Sequence, residues 1–176
     1  MELGLGSNEV KLLPYTNEWK EEFNRVKLEI MDVTGFEGER IQHIGSTAII
    51  NMPAKPIIDI LVGVDDKAKV DKALFNELKS IGFLRLRVER PGEIVFAKFT
   101  DDTYEVKTHF IHMVDFDKEL WKNQLFFRDY LNSNDEARDE YQIIKITSAK
   151  QKDININTYT DLKEPFVKSI FTKRIN

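Results

Sequence analysis

The order of apolar patterns along the chain predicts an α+β domain built on a mixed sheet, with additional helices at the C-terminal end. Three observations carry this expectation. The patterns run helix, strand, helix, strands, helices, which places helices against a sheet that is not a simple run of hairpins. Residues 57–64 form an apolar, β-branched run whose one polar member is Asp59, the mark of a strand covered on both faces. Leu84, Leu86 and Val88 alternate with Arg85, Arg87 and Glu89, and two more strand patterns follow, as in an antiparallel meander.

Taken in order, residues 1–9 read as a loose leader and Val10 to Leu13 as a short edge strand ended by Pro14. Thr16 or Asn17 can cap a helix in which Trp19, Phe23, Val26 and Ile30 repeat at helical spacing. Gly35 and Gly38 mark a loop, and Arg40 to Ile44 a short strand leading into Gly45-Ser46. Pro53 and Pro56 keep residues 51–56 out of a helix. After the 57–64 strand, Asp65-Asp66 can open a helix that buries Val70, Ala73, Leu74, Leu78 and Ile81 and stops at Gly82. Strands at 94–100 and 104–114 flank an Asp101-Asp102 turn. Asp117 can cap a helix containing Leu120, Trp121, Leu125, Phe127 and Leu131. Ser133 or Asn134 can cap one containing Ala137, Tyr141, Ile144 and Ser148, and a last helix carries Leu162, Phe166, Ile170 and Phe171. The Phe126-Phe127 pair, Trp121 and Tyr141 read as core, because helical spacing already explains them.

With 176 residues, 41% of them apolar and 32% charged, the chain suits one soluble domain with a real core, spanning 1–176. It has no cysteine, which excludes disulfides and thiolate metal sites. The N-terminal segment has neither a basic flank nor an apolar stretch of signal-peptide type, and no run is long enough to span a bilayer, so a cytoplasmic protein without membrane contact is expected. A net charge of −4 argues against a nucleic-acid partner, which calls for a basic footprint.

The chemistry concentrates at His43-Ile44-Gly45-Ser46-Thr47 and at Ala54-Lys55-Pro56-Ile57-Ile58-Asp59-Ile60. A Gly-Ser pair opening a helix offers backbone N–H groups to an anion. A carboxylate on the neighbouring strand can hold a metal beside that anion, so phosphate, metal and amides would meet. Asp59 has a competing account as a buried structural acid paired with Lys55 or an arginine. Lys55, beside the motif, favours a phosphate. His43, His109 and His112 fall in strands flanking the site, which admits a metal-binding or general-base role. On an unbroken strand His109 and His112 face opposite ways.

These residues resemble the GrpB family. The resemblance runs through most of the chain: Pro14-Tyr15 with Trp19, the two blocks above, the strand from His109 to His112, Phe127-Arg128-Asp129-Tyr130-Leu131, Tyr141 with Lys145, and Lys163 with Phe166. It implies a nucleotidyltransferase-like fold, of the type shared with DNA polymerase β and aminoglycoside nucleotidyltransferases. The chain departs from the family at Ile50-Asn51, where Pro-Gly is usual, and at His109-Phe110-Ile111-His112, where His-His-Leu-His is frequent.

In the wider superfamily Gly-Ser binds nucleotide phosphates, two acids one residue apart on the next strand hold Mg²⁺, and a third carboxylate follows later. The resemblance therefore implies that Gly45, Ser46 and Thr47 bind phosphate, helped by Lys55, and that Arg128 and Lys145 close over it. Asp59 matches the first metal-binding acid, and Mg²⁺ or Mn²⁺ is the expected cofactor, with His109 as a further ligand. Asp59, His112 and His43 are the catalytic candidates, a histidine serving as base. The second acidic position is Leu61. Three readings stay open: transfer of a nucleotidyl group from a bound nucleotide to an unidentified acceptor, a non-catalytic module holding a nucleotide or phosphorylated small molecule, and metal-dependent phosphoryl or hydrolytic chemistry.

Overall fold

A computed structural model describes residues 1–175. Its strands are β1 (Leu5–Gly6), β2 (Ile41–Ile44), β3 (Ile58–Val64), β4 (Phe83–Arg85), β5 (Ile94–Phe99) and β6 (Val106–Asp115). Its helices are α1 (Glu18–Thr34), α2 (Lys72–Ser80), α3 (Glu119–Ser133), α4 (Asp135–Ala149) and α5 (Ile156–Ile175). The sheet runs β2-β3-β6-β5-β4, with β1 paired to the start of β6. Only β3 and β6 are parallel, so the sheet is mixed as expected.

Period-two alternation along β3 divides the core. Ile58, Ile60 and Val62 face α1 and α2, where they pack with Trp19, Phe23, Val26, Ile30, Leu78 and Phe83. Asp59 and Leu61 face the other way, toward the C-terminal helices. On that side Leu61 is fully buried with Ile44, Val114 and Trp121. Further out, α3, α4 and α5 make their own core from Phe127, Leu131, Tyr141, Phe166 and Ile170, and Ile49 and Met52 of the loop before β3 complete it. The helices therefore clamp that loop against the sheet.

The structure differs from the sequence expectations at several ends. The leader contains β1, and Leu5 is buried against β6. Val10–Leu13 forms no strand; Leu13 makes one isolated bridge to Ala54. The meander strand at 84–88 stops at Arg85, because Pro91-Gly92 turns the chain and Val88 stays 48% exposed. Asp66 caps a 3₁₀ turn at Lys67–Lys69, and Asp71 caps α2 instead. Asp117 sits at φ 57° in a turn, and Lys118 takes the cap position of α3. Asn134 caps α4 by accepting from the Ala137 N–H. Among the described residues no helix is long and apolar enough to cross a membrane.

Candidate functional site

A cavity of about 210 Å³ opens where the turn after β2, the beginning of β3 and the helices α4 and α5 meet. Its wall holds Gly45, Ser46, Thr47, Lys55, Asp59, Tyr141, Lys145, Tyr159 and Lys163. The antiparallel ladder brings these together: Ile44, one residue before Gly45, lies opposite Asp59. Gly45 is required there twice over. Its φ of 72° and ψ of −175° lie in a region essentially reserved for glycine. A Cβ on it would stand 2.6 Å from Asp59 Oδ2. The helix expected after Gly45 is a three-residue 3₁₀ turn, Ser46–Ala48, too short to focus a dipole on an anion.

The positive charge comes from side chains instead. Tyr141 and Lys145 lie four residues apart on α4, and Tyr159 and Lys163 four apart on α5, so each pair shares a helix face turned to the cavity. The Lys163 ammonium sits 4.4 Å from the centre of the Tyr159 ring, with Lys55 5.7 Å from the same ring. Lys145, almost fully buried, donates to the Pro53 carbonyl at 2.5 Å. Among the described residues none of these three ammonium groups forms an ion pair with a carboxylate. Burial, then their mutual repulsion, pulls them down: Lys163 to about 8, Lys145 well below the usual lysine range. Burial also lowers Lys55, against the pull of Asp59. The Tyr159 hydroxyl is buried without a hydrogen-bond partner. Burial pushes the Tyr141 phenol up to about 12, with Ser46 opposing.

Asp59 has a close partner. Its Oδ1 lies 3.0 Å from His112 Nε2, and His112 Nδ1 lies 3.3 Å from Glu93 Oε2. Burial works against the His112 cation, but hydrogen bonds to the two carboxylates raise it to about 9. Burial likewise works against ionised Asp59, yet His112 and the nearby lysines hold it below the ordinary aspartate range.

Other expected site residues lie elsewhere. His109 faces α1, where Nε2 meets Glu22 at 3.0 Å, so it cannot share an ion with Asp59 on the opposite sheet face. Burial holds His109 at about 4. His43 stacks on Phe23 with 4.8 Å between ring centres and bonds Thr47 Oγ1 at 2.9 Å; burial holds it at about 4 as well. It lines a separate groove of about 350 Å³ with Tyr15, Lys20, Arg128 and Asn132. Arg128 braces β2 there by donating to Gln42 Oε1 and the His43 carbonyl. Tyr159 and Glu93 fall outside the sequence expectations, and Lys163 enters them only through its family match. The repeated Tyr-x-x-x-Lys spacing at 141–145 and 159–163 is the signal that marks two of them.

The donor set does not fit a two-metal clamp. Leu61 occupies the second acidic position inside an apolar cluster, Asp59 is engaged by a cationic histidine, and the other charged groups on the cavity wall are ammoniums. Among the described residues no group of three His, Asp or Glu side chains is arranged to hold a metal ion.

Comparison with known proteins adds four findings. Residues 9–173 match the profile of the family described as GrpB protein. The glutamate-rich protein GrpB of Alkalihalophilus pseudofirmus is 39% identical over 97% of this chain and 99% of its own length. Among solved structures, GrpB of Enterococcus faecalis superposes with a TM-score of 0.77 at 27% identity, covering 94% of this chain and all of that one. The Cid1 poly(U) polymerase with Mg 3′-dATP bound superposes with a TM-score of 0.57 at 18% identity, over 86% of this chain and 49% of that one. That second likeness concerns the fold.

Proposed function

The chain belongs to the GrpB family and has a nucleotidyltransferase-like fold, and from that premise we propose that its cavity binds the phosphates of a nucleotide or another phosphorylated small molecule. One observation carries the reading: Lys55, Lys145 and Lys163 converge on one cavity whose single carboxylate, Asp59, is engaged by His112 and forms no direct ion pair with them among the described residues. Buried cations are costly unless something anionic meets them. Phosphate oxygens are strong acceptors for such donors, and Ser46 adds a hydroxyl. The Tyr159 hydroxyl, otherwise unpaired, supplies a further donor. Phe110 and Phe127 leave an apolar wall for the remainder of the ligand.

A specific observation favours a second reading, nucleotidyl transfer. Thr47 lines the cavity on one side and the His43–Arg128 groove on the other, which gives an acceptor a place next to the phosphates. Release of pyrophosphate from a bound triphosphate would separate transfer from binding alone.

The test is calorimetric titration of ATP, GTP, CTP and UTP into the wild-type protein and into Lys55→Met. Saturable binding to one or more of them, weakened about tenfold or more in the variant, is expected. Absence of binding, or binding indifferent to Lys55, contradicts the reading.

A further inference from the structure

The groups around Asp59 account for one another's charge. Asp59 Oδ1 and Glu93 Oε2 approach the two nitrogens of His112 at 3.0 and 3.3 Å. An imidazole donates from both nitrogens only as the cation. Glu93 also faces Arg90 at 3.5 Å. Two carboxylates thus meet two cations, which leaves the cluster without net negative charge to attract a divalent ion. Leu61 and His112 are direct neighbours across the parallel β3–β6 ladder. Where the fold would carry a second metal-binding acid, this chain therefore carries a buried leucine, and a cationic histidine beside it. Among the described residues the three cavity lysines share one nearby carboxylate, Asp59, which His112 already engages, so the remaining negative charge must come with the ligand.

We propose that this site takes its phosphorylated ligand free of metal, His112 between Asp59 and Glu93 standing where the fold's divalent cation would stand. The inference rests on the phosphate-binding reading and adds the ligand's state: an uncomplexed polyphosphate or nucleoside polyphosphate. Magnesium then acts as a competitor. It neutralises the phosphate oxygens that the lysines use, and three ammonium groups repel it from the cavity. Asp59 serves as a positioning residue, fixing His112 and, through its contact with Gly45, the turn that carries Ser46.

The experiment is calorimetric titration of ATP and of inorganic tripolyphosphate into the full chain, in excess EDTA and in excess Mg²⁺, repeated with His112→Gln. Wild-type binding in EDTA that excess Mg²⁺ weakens is expected, and wild-type binding that Mg²⁺ leaves unchanged overturns the inference. In His112→Gln, binding in EDTA falls about tenfold and Mg²⁺ restores part of it, because Asp59 and Glu93 are then free to hold the ion. If His112→Gln does not fold, Glu93→Gln reads the same coupling, with a smaller loss expected in EDTA. Wild-type binding that needs Mg²⁺ overturns the inference and leaves the phosphate pocket standing. Variants that bind as wild type does and stay indifferent to Mg²⁺ also overturn it. No binding under either condition overturns the inference together with the pocket itself.

Discussion

Gly45→Ala tests how tightly the turn and the carboxylate are fitted to each other. At φ 72° and ψ −175° an alanine is strained by about 1–3 kcal/mol. Its methyl would also lie 2.6 Å from Asp59 Oδ2, 3.1 Å from Asp59 Cβ and 3.2 Å from Cγ. The last two atoms sit close to the β3 backbone and cannot swing aside as a flexible tip would. Asp59 must move, and its charged hydrogen bond to His112 is lost or lengthened, at a further cost of about 1–3 kcal/mol. The sum is about 2–6 kcal/mol, centred near 4, or a fall in Tm of about 8–16 °C at that centre for a chain of this size. Gly35→Ala is the control. Its φ of 71° is nearly the same, but nothing lies within 4 Å of the added methyl, so it should lose only about 1–2 kcal/mol. Urea unfolding of both variants, with unchanged m-values, reads the difference. If Gly45→Ala loses no more than Gly35→Ala, the reasoning about contact with Asp59 is refuted.

Three other outcomes follow from the same geometry. Lys163→Met should stabilise the free protein at pH 7 by about 1–2 kcal/mol while removing ligand affinity, because a half-buried ammonium without a direct ion pair among the described residues is a functional strain. Lys163 ionises near 8 when folded and at 10.5 otherwise, so the unfolded chain binds more protons between those values; free-protein stability rises with pH across that window, ligand affinity falls, and the variant shows neither contribution. Tyr159→Phe removes a hydroxyl that has no partner: thermal unfolding should find it as stable as wild type or about 1 kcal/mol better, with ligand affinity down by about fivefold, and a clear loss of stability would contradict this. Leu61→Ala empties a fully buried position beneath Trp121 and should cost about 2–5 kcal/mol by denaturant unfolding, whereas a loss below about 1 kcal/mol would show that the second acidic position is not structurally committed.

The elements most legible in the sequence are those with a strong period. The four apolar positions of α1 are all buried as spaced, and the 57–64 run holds the interior strand β3 with Asp59 as its one charge. Ends governed by tertiary contact were not legible. β1 exists because the edge of β6 offers it hydrogen bonds, and the turn at Ser46 is 3₁₀ because Ile49 and Met52 are drawn into the helical core immediately after it. The site was half visible. Gly45, Ser46, Lys55 and Asp59 meet as the two motifs implied, and Lys145 joins them from a position the family resemblance supplied. His109 and Arg128 match the family pattern but face other surfaces, since strand alternation and the packing of α3 against β2 decide direction and neither shows in a motif. Glu93 reaches His112 only because β5 pairs with β6, a contact between positions nineteen residues apart that local spacing does not encode.

The central claim is that phosphate oxygens complete the three-lysine cavity, and a crystal structure grown with ATP in EDTA tests it most directly. Phosphate density is expected within hydrogen-bonding distance of Lys55, Lys145 and Lys163, with the Tyr159 hydroxyl paired. Density confined to the His43–Arg128 groove, or an ordered ligand that leaves the three ammonium groups uncontacted, would contradict it.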